Sequence, residues 1–365
     1  MLYLYNFIIT SLLIFLPFYL VGKDKEYFTI RLIFIFHLSF FLFNYFYKDY
    51  FASDSNGYIK WSFDNSYIFS LGRGTSSIVF FVKFLNLLKL NLLNIHLIFS
   101  IIGFFGIYIF YKIINDKNQH IINKVIFFVP SWHFYTSTIG KESIIVLLLS
   151  VCLFYFEKRK IILFFISASL IYLIRPNVSI LFCLLIFPLC INYFSERYYL
   201  NNKNLFRNYL ILFLVLIILL VVFNFQKIDY FIIYLVEFIE TRQSYFYIGR
   251  TSYEVSQLNL FQMIFYYLFM PLGFNFSKNI FYFYSGLENI FLLFYFIISL
   301  ITFSFKSLKL LDLKTFLILF ILFFLVLVSI VNTNLGLAMR QKWMIIPFIF
   351  YVFSIYCNYF RELKK

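Results

Sequence analysis

The feature that most constrains this chain is its run of long, nearly uninterrupted apolar stretches, such as Leu210 to Phe225, separated by short charged segments. A soluble surface cannot be made from such segments. Hydrophobic residues make up 63% of the 365 residues and charged ones 13%, and the mean hydropathy is +0.88. Soluble domains are about 45–50% apolar and about 25% charged. Lipid is therefore the solvent for much of this chain. In lipid, every unsatisfied backbone N–H or C=O costs several kcal/mol, which leaves helices and closed barrels as spanning structures. Barrel strands alternate polar and apolar residues over about 10 positions, and these runs do not alternate. The fold class expected is all-α: a polytopic integral membrane protein.

Spans are expected at about 2–21, 29–47, 92–111, 125–140, 142–156, 161–174, 177–195, 209–225, 286–305, 315–331 and 342–359, about 11 transmembrane helices in one domain covering 1–365. Three of them, between 125 and 174, fall short of the roughly 20 residues a spanning helix needs, so they are tilted or broken. The segment 76–91 carries Lys83 and Lys89 and reads as an interfacial or re-entrant helix. Met1 to Leu20 has no basic leader and no small-residue cleavage site, and reads as a retained first span.

Charge assigns the loops to two faces. Lys23 and Lys25; Lys112, Lys117 and Lys124; Lys158, Arg159 and Lys160; Arg197, Lys203 and Arg207; Lys306, Lys309 and Lys314; and Arg361, Lys364 and Lys365 occupy every second loop. The positive-inside rule puts these in the cytoplasm, with the N-terminus outside and the C-terminus inside. The net charge of +15 is thus an orientation signal and not one for nucleic acid. The 57 Phe and 31 Tyr read as compositional bias. Cys152, Cys183, Cys190 and Cys357 lie in apolar runs without ligand spacing and read as buried thiols.

The opposite face carries the larger loops, about 48–91 and 226–285, and most of the chemistry. The first contains Asp49, Asp54, Tyr58, Lys60, Asp64 and Arg73, with Gly72 and Gly74 flanking the arginine. PSWHFYTSTIGKES brings His133, Lys141 and Glu142 to the junction of two short spans; LIRPN places Arg175 at a proline-marked turn; the second large loop holds Arg242 and Arg250; and NTNLGLAMRQKW places Arg340 and Lys342 at the last turn. Arginine is a permanently charged planar fork suited to phosphate, and charge at membrane depth usually marks a site or pathway. The substrate-binding candidates are Arg73, Lys141, Arg175, Arg242, Arg250 and Arg340. The catalytic-base candidates are Asp54 and His133. Each has a bland alternative. Arg73 and Arg242 fit solvated loops, Arg175 and Arg340 fit structural ion pairs with Glu142 or Glu288, and His133 beside Trp132 fits an interfacial belt. His37 and His96 read as satisfied core histidines. No metal-ligand cluster, nucleotide loop or cofactor motif is present in the sequence.

With SDSNGY, PSWHFYTSTIGKES, LIRPN and NLGLAMRQKWMIIP, the chain resembles the O-antigen polymerases of enterobacterial lipopolysaccharide clusters, the Wzy family. The resemblance covers most of the chain and lies in its organisation, with Phe- and Ile-rich spans and two larger outer loops. Asp54 is also similar to the catalytic acid of GT-C-type glycosyltransferases, although Ser53 and Ser55 break their double-acid pattern. The resemblance implies a GT-C-like fold in the bacterial inner membrane and glycosyl transfer at the periplasmic face. The implied donor is an undecaprenyl-diphosphate-linked oligosaccharide, and a chain-length regulator is an implied partner. It implies neither cofactor nor metal. The alternatives are a GT-C-type enzyme using a polyprenyl phosphate sugar, and a polysaccharide transporter or flippase.

Overall fold

A computed structural model describes residues 2–22, 26–47, 54–64, 67–70, 73–117, 124–158, 160–180, 182, 237, 239–241, 243, 258–272, 280–301, 313–332 and 334–362. These are helical, with no strand among them. The first helices are α1 (Leu2–Val21), α2 (Tyr27–Tyr47), α3 (Asp54–Ser62), α4 (Gly74–Leu87) and α5 (Leu92–Lys117). A 3-10 turn at Ile126–Phe128 leads to α6 (Pro130–Thr136), α7 (Lys141–Glu157) and α8 (Ile161–Ile174). After these come α9 (Leu260–Phe269), α10 (Ile280–Ile301), α11 (Leu313–Val331) and α12 (Leu335–Gln341). A second 3-10 turn, Lys342–Met344, precedes α13 (Ile346–Glu362). Among the described residues, 4 helices are long and apolar enough to cross a membrane, or 5 if α6 and α7 are one bent span. The chain is an all-α membrane protein. The expected span at 209–225 and most of that at 177–195 lie outside the described residues.

The chain divides into two compact units. One comprises 1–180, 295–303 and 340–365; the other comprises 181–294 and 304–339. In the second, Asn259 and Gln262 form a reciprocal capping box that starts α9, each bond 2.9 Å. Asn289 Nδ2 donates to the Pro271 carbonyl at 3.2 Å, and Phe182 meets Phe320 edge to face.

The first unit is organised on α5. Between two apolar helices in lipid there is little hydrophobic drive, so polar side chains and close packing hold them together. Asn94 Nδ2 on α5 donates to Asn6 Oδ1 on α1 at 2.9 Å, and Thr10 Oγ1 donates to Asn94 Oδ1 at 2.6 Å. The Asn91 N–H also reaches Asn6 Oδ1. These bonds bring the start of α1 to the start of α5. At the far ends, Lys124 Nζ pairs with Glu26 at 2.8 Å, and the Tyr111 hydroxyl also donates to that carboxylate. The hydrogen bond from Lys124 is the main cause holding the Glu26 carboxyl below its ordinary range. Glu26, just before α2, and Lys124, just before the next 3-10 turn, are thus held together beside Tyr111 of α5.

The region 125–140 differs from a span. Pro130 lacks a backbone donor and sits at the first position of α6, where none is needed. The result is a 3-10 turn and a helix of 7 residues, bent by 107° from α7. Its course follows α5. Phe127 packs on Tyr111 and Trp132 near Phe110, the Thr136 carbonyl lies directly on Gly103, and Leu147 N returns to Gly106. The chain therefore rises along α5, turns near its middle and comes back. The turn at 137–140 follows directly on the contact of Thr136 with Gly103. Trp132 stacks on Trp343 with centroids 5.2 Å apart and planes 6° from parallel, and Trp343 Nε1 donates to Ser131 Oγ at 2.6 Å.

Candidate functional site

Four charged side chains from four elements meet at this turn. Glu142, on the first turn of α7, is 4% exposed. Its Oε1 accepts from Arg175 Nη2 at 2.9 Å and lies 2.7 Å from Arg340 Nε. Arg340 Nη1 reaches across to Asp54 Oδ2 at 2.6 Å. One buried carboxylate is thus shared by two arginines, and one of those arginines is shared by two carboxylates.

Each member is positioned by a local feature. Arg175 follows α8 directly, its N–H capping onto the Ile171 carbonyl at 2.7 Å. The end of α8 is fixed by α4: Ser77 Oγ donates to the Leu173 carbonyl at 2.6 Å, and Gly74 packs its bare Cα on the Ile174 carbonyl. Any Cβ at position 74 would collide with that oxygen. The glycine noted beside Arg73 is therefore there for helix contact. Asp54 opens α3, and Tyr58 follows four residues later on the same face. The Tyr58 ring is 2% exposed. Burial first, then the charges of Asp54 and Glu142, push its phenol above the ordinary range, so it stays a donor. Against the cost of burial, Glu142 and Asp54 push the Arg340 guanidinium up, so it stays charged. The Lys141 amine is half-buried and within electrostatic reach of Arg175, Glu142, Arg340 and Asp54. Three cations here face two carboxylates.

The structure brings together four of the residues singled out from sequence: Asp54, Lys141, Arg175 and Arg340. It adds Glu142 and Tyr58 as members of the cluster. Arg73 is exposed and caps α4 through its backbone; among the described residues its side chain has no ion pair. Arg242 and Arg250 lie outside the described residues. His133 is fully buried with both ring nitrogens engaged, neither of them by a member of the cluster. Glu142 was legible as an ion-pair partner of Arg175; the signal for Tyr58 was its four-residue spacing from Asp54. No group of three or more metal-ligating side chains occurs among the described residues.

The arrangement is suited to an anion. The Arg175 Nε is buried and without a hydrogen-bond partner among the described residues, so its guanidinium keeps a donor beyond the one given to Glu142. Asp54 is on the rim, its side chain 53% exposed against 5% for Glu142. Glu142 is thus the anchor, and Asp54 is the carboxylate that a second molecule can reach. Compared with protein-family models, curated proteins and solved structures, the chain matches none.

Proposed function

We propose that this chain polymerises lipid-linked oligosaccharide repeat units, of the O-antigen type, at the periplasmic face of the bacterial inner membrane. The observation that carries this reading is the cation-rich cluster itself, in which Arg175, Arg340 and Lys141 gather around the buried Glu142 carboxylate within an apolar helical unit. A polyprenyl diphosphate has an anionic head on an apolar tail, and needs arginines next to lipid. The acceptor's terminal sugar hydroxyl attacks the anomeric carbon of the donor glycan. The new glycosidic C–O bond forms as the anomeric C–O bond to undecaprenyl diphosphate breaks. The hydroxyl proton passes to Asp54, the exposed carboxylate, while the diphosphate leaves carrying its charge. Arg175, Arg340 and Lys141 stabilise that charge, which is electrostatic catalysis. Tyr58 offers a neutral donor beside them.

A second reading is favoured by one observation. Broken helices are a mark of transporters, and the 107° bend between α6 and α7 is a break of that kind. A flippase for the same lipid-linked units would use the same cations without Asp54 as a base.

Asp54→Asn separates the two readings. The Asp54–Arg340 pair is half-exposed, and such pairs contribute about 0–1 kcal/mol, so folding should hold. Chain extension, followed as the lipopolysaccharide ladder on a gel, should fall to a single added unit as for Arg340→Ala and Arg175→Ala. A wild-type ladder in Asp54→Asn would remove the base from the mechanism. Wild-type ladders in both arginine variants would reduce the cluster to a structural role.

A further inference from the structure

Away from the charged cluster, His37 of α2 and His133 of α6 meet inside the helical unit, both fully buried. Their Nδ1 atoms are 3.0 Å apart. The other nitrogen of each ring is committed. His37 Nε2 lies 2.9 Å from the Ser100 carbonyl, and His133 Nε2 lies 2.7 Å from the Phe127 carbonyl. A carbonyl oxygen only accepts, so each Nε2 must carry hydrogen. A neutral imidazole has one ring hydrogen, and both are then used. The two Nδ1 lone pairs would face each other at hydrogen-bond distance with nothing between them. Reversing either tautomer moves the conflict onto a carbonyl without removing it. Three contacts require three hydrogens, and two neutral rings supply two.

We infer that His37 and His133 form a buried one-proton site, an imidazolium–imidazole pair joined by a single Nδ1–H···Nδ1 bond. The pair carries one positive charge, and the proton belongs to both rings and not to either. Its surroundings contribute no countercharge among the described residues. Phe36 and Phe40 of α2 lie against the His133 ring, and Phe104 of α5 against His37. Phe128 of the 3-10 turn packs on Phe36. Of the ionisable groups on the same elements, Arg31 lies over the Tyr27 ring, His96 against Tyr45, Lys112 over Tyr108 and the Tyr111 hydroxyl on Glu26, while Asp116 stands in the last turn of α5.

The site has a structural consequence. Its three bonds tie α2, α5, the 3-10 turn and α6 together at one point, and α6 leads into the turn before Lys141 and Glu142. Removing the proton sets two lone pairs against each other there, so the seat of the re-entrant segment depends on one proton. This holds whether the protein polymerises, transports or does neither.

Nuclear magnetic resonance on the detergent-solubilised full chain, labelled with [15N]histidine, tests it near neutral pH. The expected result is a scalar coupling between two histidine Nδ1 nitrogens, one protonated and one bare, with both Nε2 atoms protonated. Raising the pH should abolish the coupling as the single proton leaves. His37→Gln and His133→Gln should each remove it and leave the other histidine signals in place. The wild-type spectrum decides the matter even where a variant fails to fold. Absence of any histidine–histidine coupling, with both Nδ1 atoms bare, would overturn the inference.

Discussion

Glu142→Ala is expected to destabilise the first unit by about 3–5 kcal/mol, the usual cost of removing one partner from a buried pair, and to end chain extension. The reason is the sharing of one oxygen. Arg175 and Arg340 both converge on Oε1, and their side chains are only 19% and 21% exposed. Without the carboxylate, two largely buried guanidinium groups repel one another. Arg340 keeps Asp54, but Arg175 has no second carboxylate among the ion pairs of the described residues. Adding Arg175→Ala to Glu142→Ala should recover part of the loss, because the pair is coupled and the costs do not add. Thermal unfolding of the detergent-solubilised protein is the measurement. An unchanged midpoint for Glu142→Ala would show that the cluster contributes nothing to the fold.

Gly103→Leu should be the most damaging change outside the cluster. A Cβ at Gly103 would run into the Thr136 carbonyl oxygen, and one at Gly106 would lie 2.7 Å from Leu147 N. Both obstacles are backbone, which cannot rotate out of the way. Small residues at such positions let membrane helices approach closely, and here they seat both limbs of the re-entrant segment on α5. Overpacking usually costs about 1–3 kcal/mol; with backbone as the neighbour, Gly103→Leu should reach the top of that range and displace the turn bearing Lys141 and Glu142. Gly57→Ala is the matched control, since its nearest neighbour would be the Trp61 ring at 3.6 Å, an ordinary contact. Equal accumulation and equal midpoints for the two variants would contradict the packing described for α5.

The helical class and the placement of α1, α2 and α5 were legible because apolar length alone specifies them. The re-entrant segment was not. That 125–140 is broken was foreseeable from its shortness, Pro130 and the polar residues from Ser131 to Thr138, but its course was not. Whether a broken segment crosses or turns back depends on what it packs against, here Gly103 and Gly106. The cluster was legible in its members more than in its geometry. Arg175 with Glu142 was a foreseeable pair, 33 residues apart. Asp54 and Arg340 are 286 residues apart, and no local pattern joins them. The histidines show the same limit. His37 is a satisfied core residue as expected, while His133, a candidate base beside Trp132, turns out to be the group that satisfies it. Cys152 is a buried thiol, as its apolar setting predicted.

On the proposed function this protein joins lipid-linked units and does not carry them across the membrane. Deleting its gene and resolving the host's lipopolysaccharide on a gel tests that most directly. Polymerisation predicts molecules bearing one added repeat unit, with the long ladder restored by the wild-type gene and not by Arg340→Ala. Persistence of long chains, or loss of even the first unit as expected for a missing flippase, would contradict it.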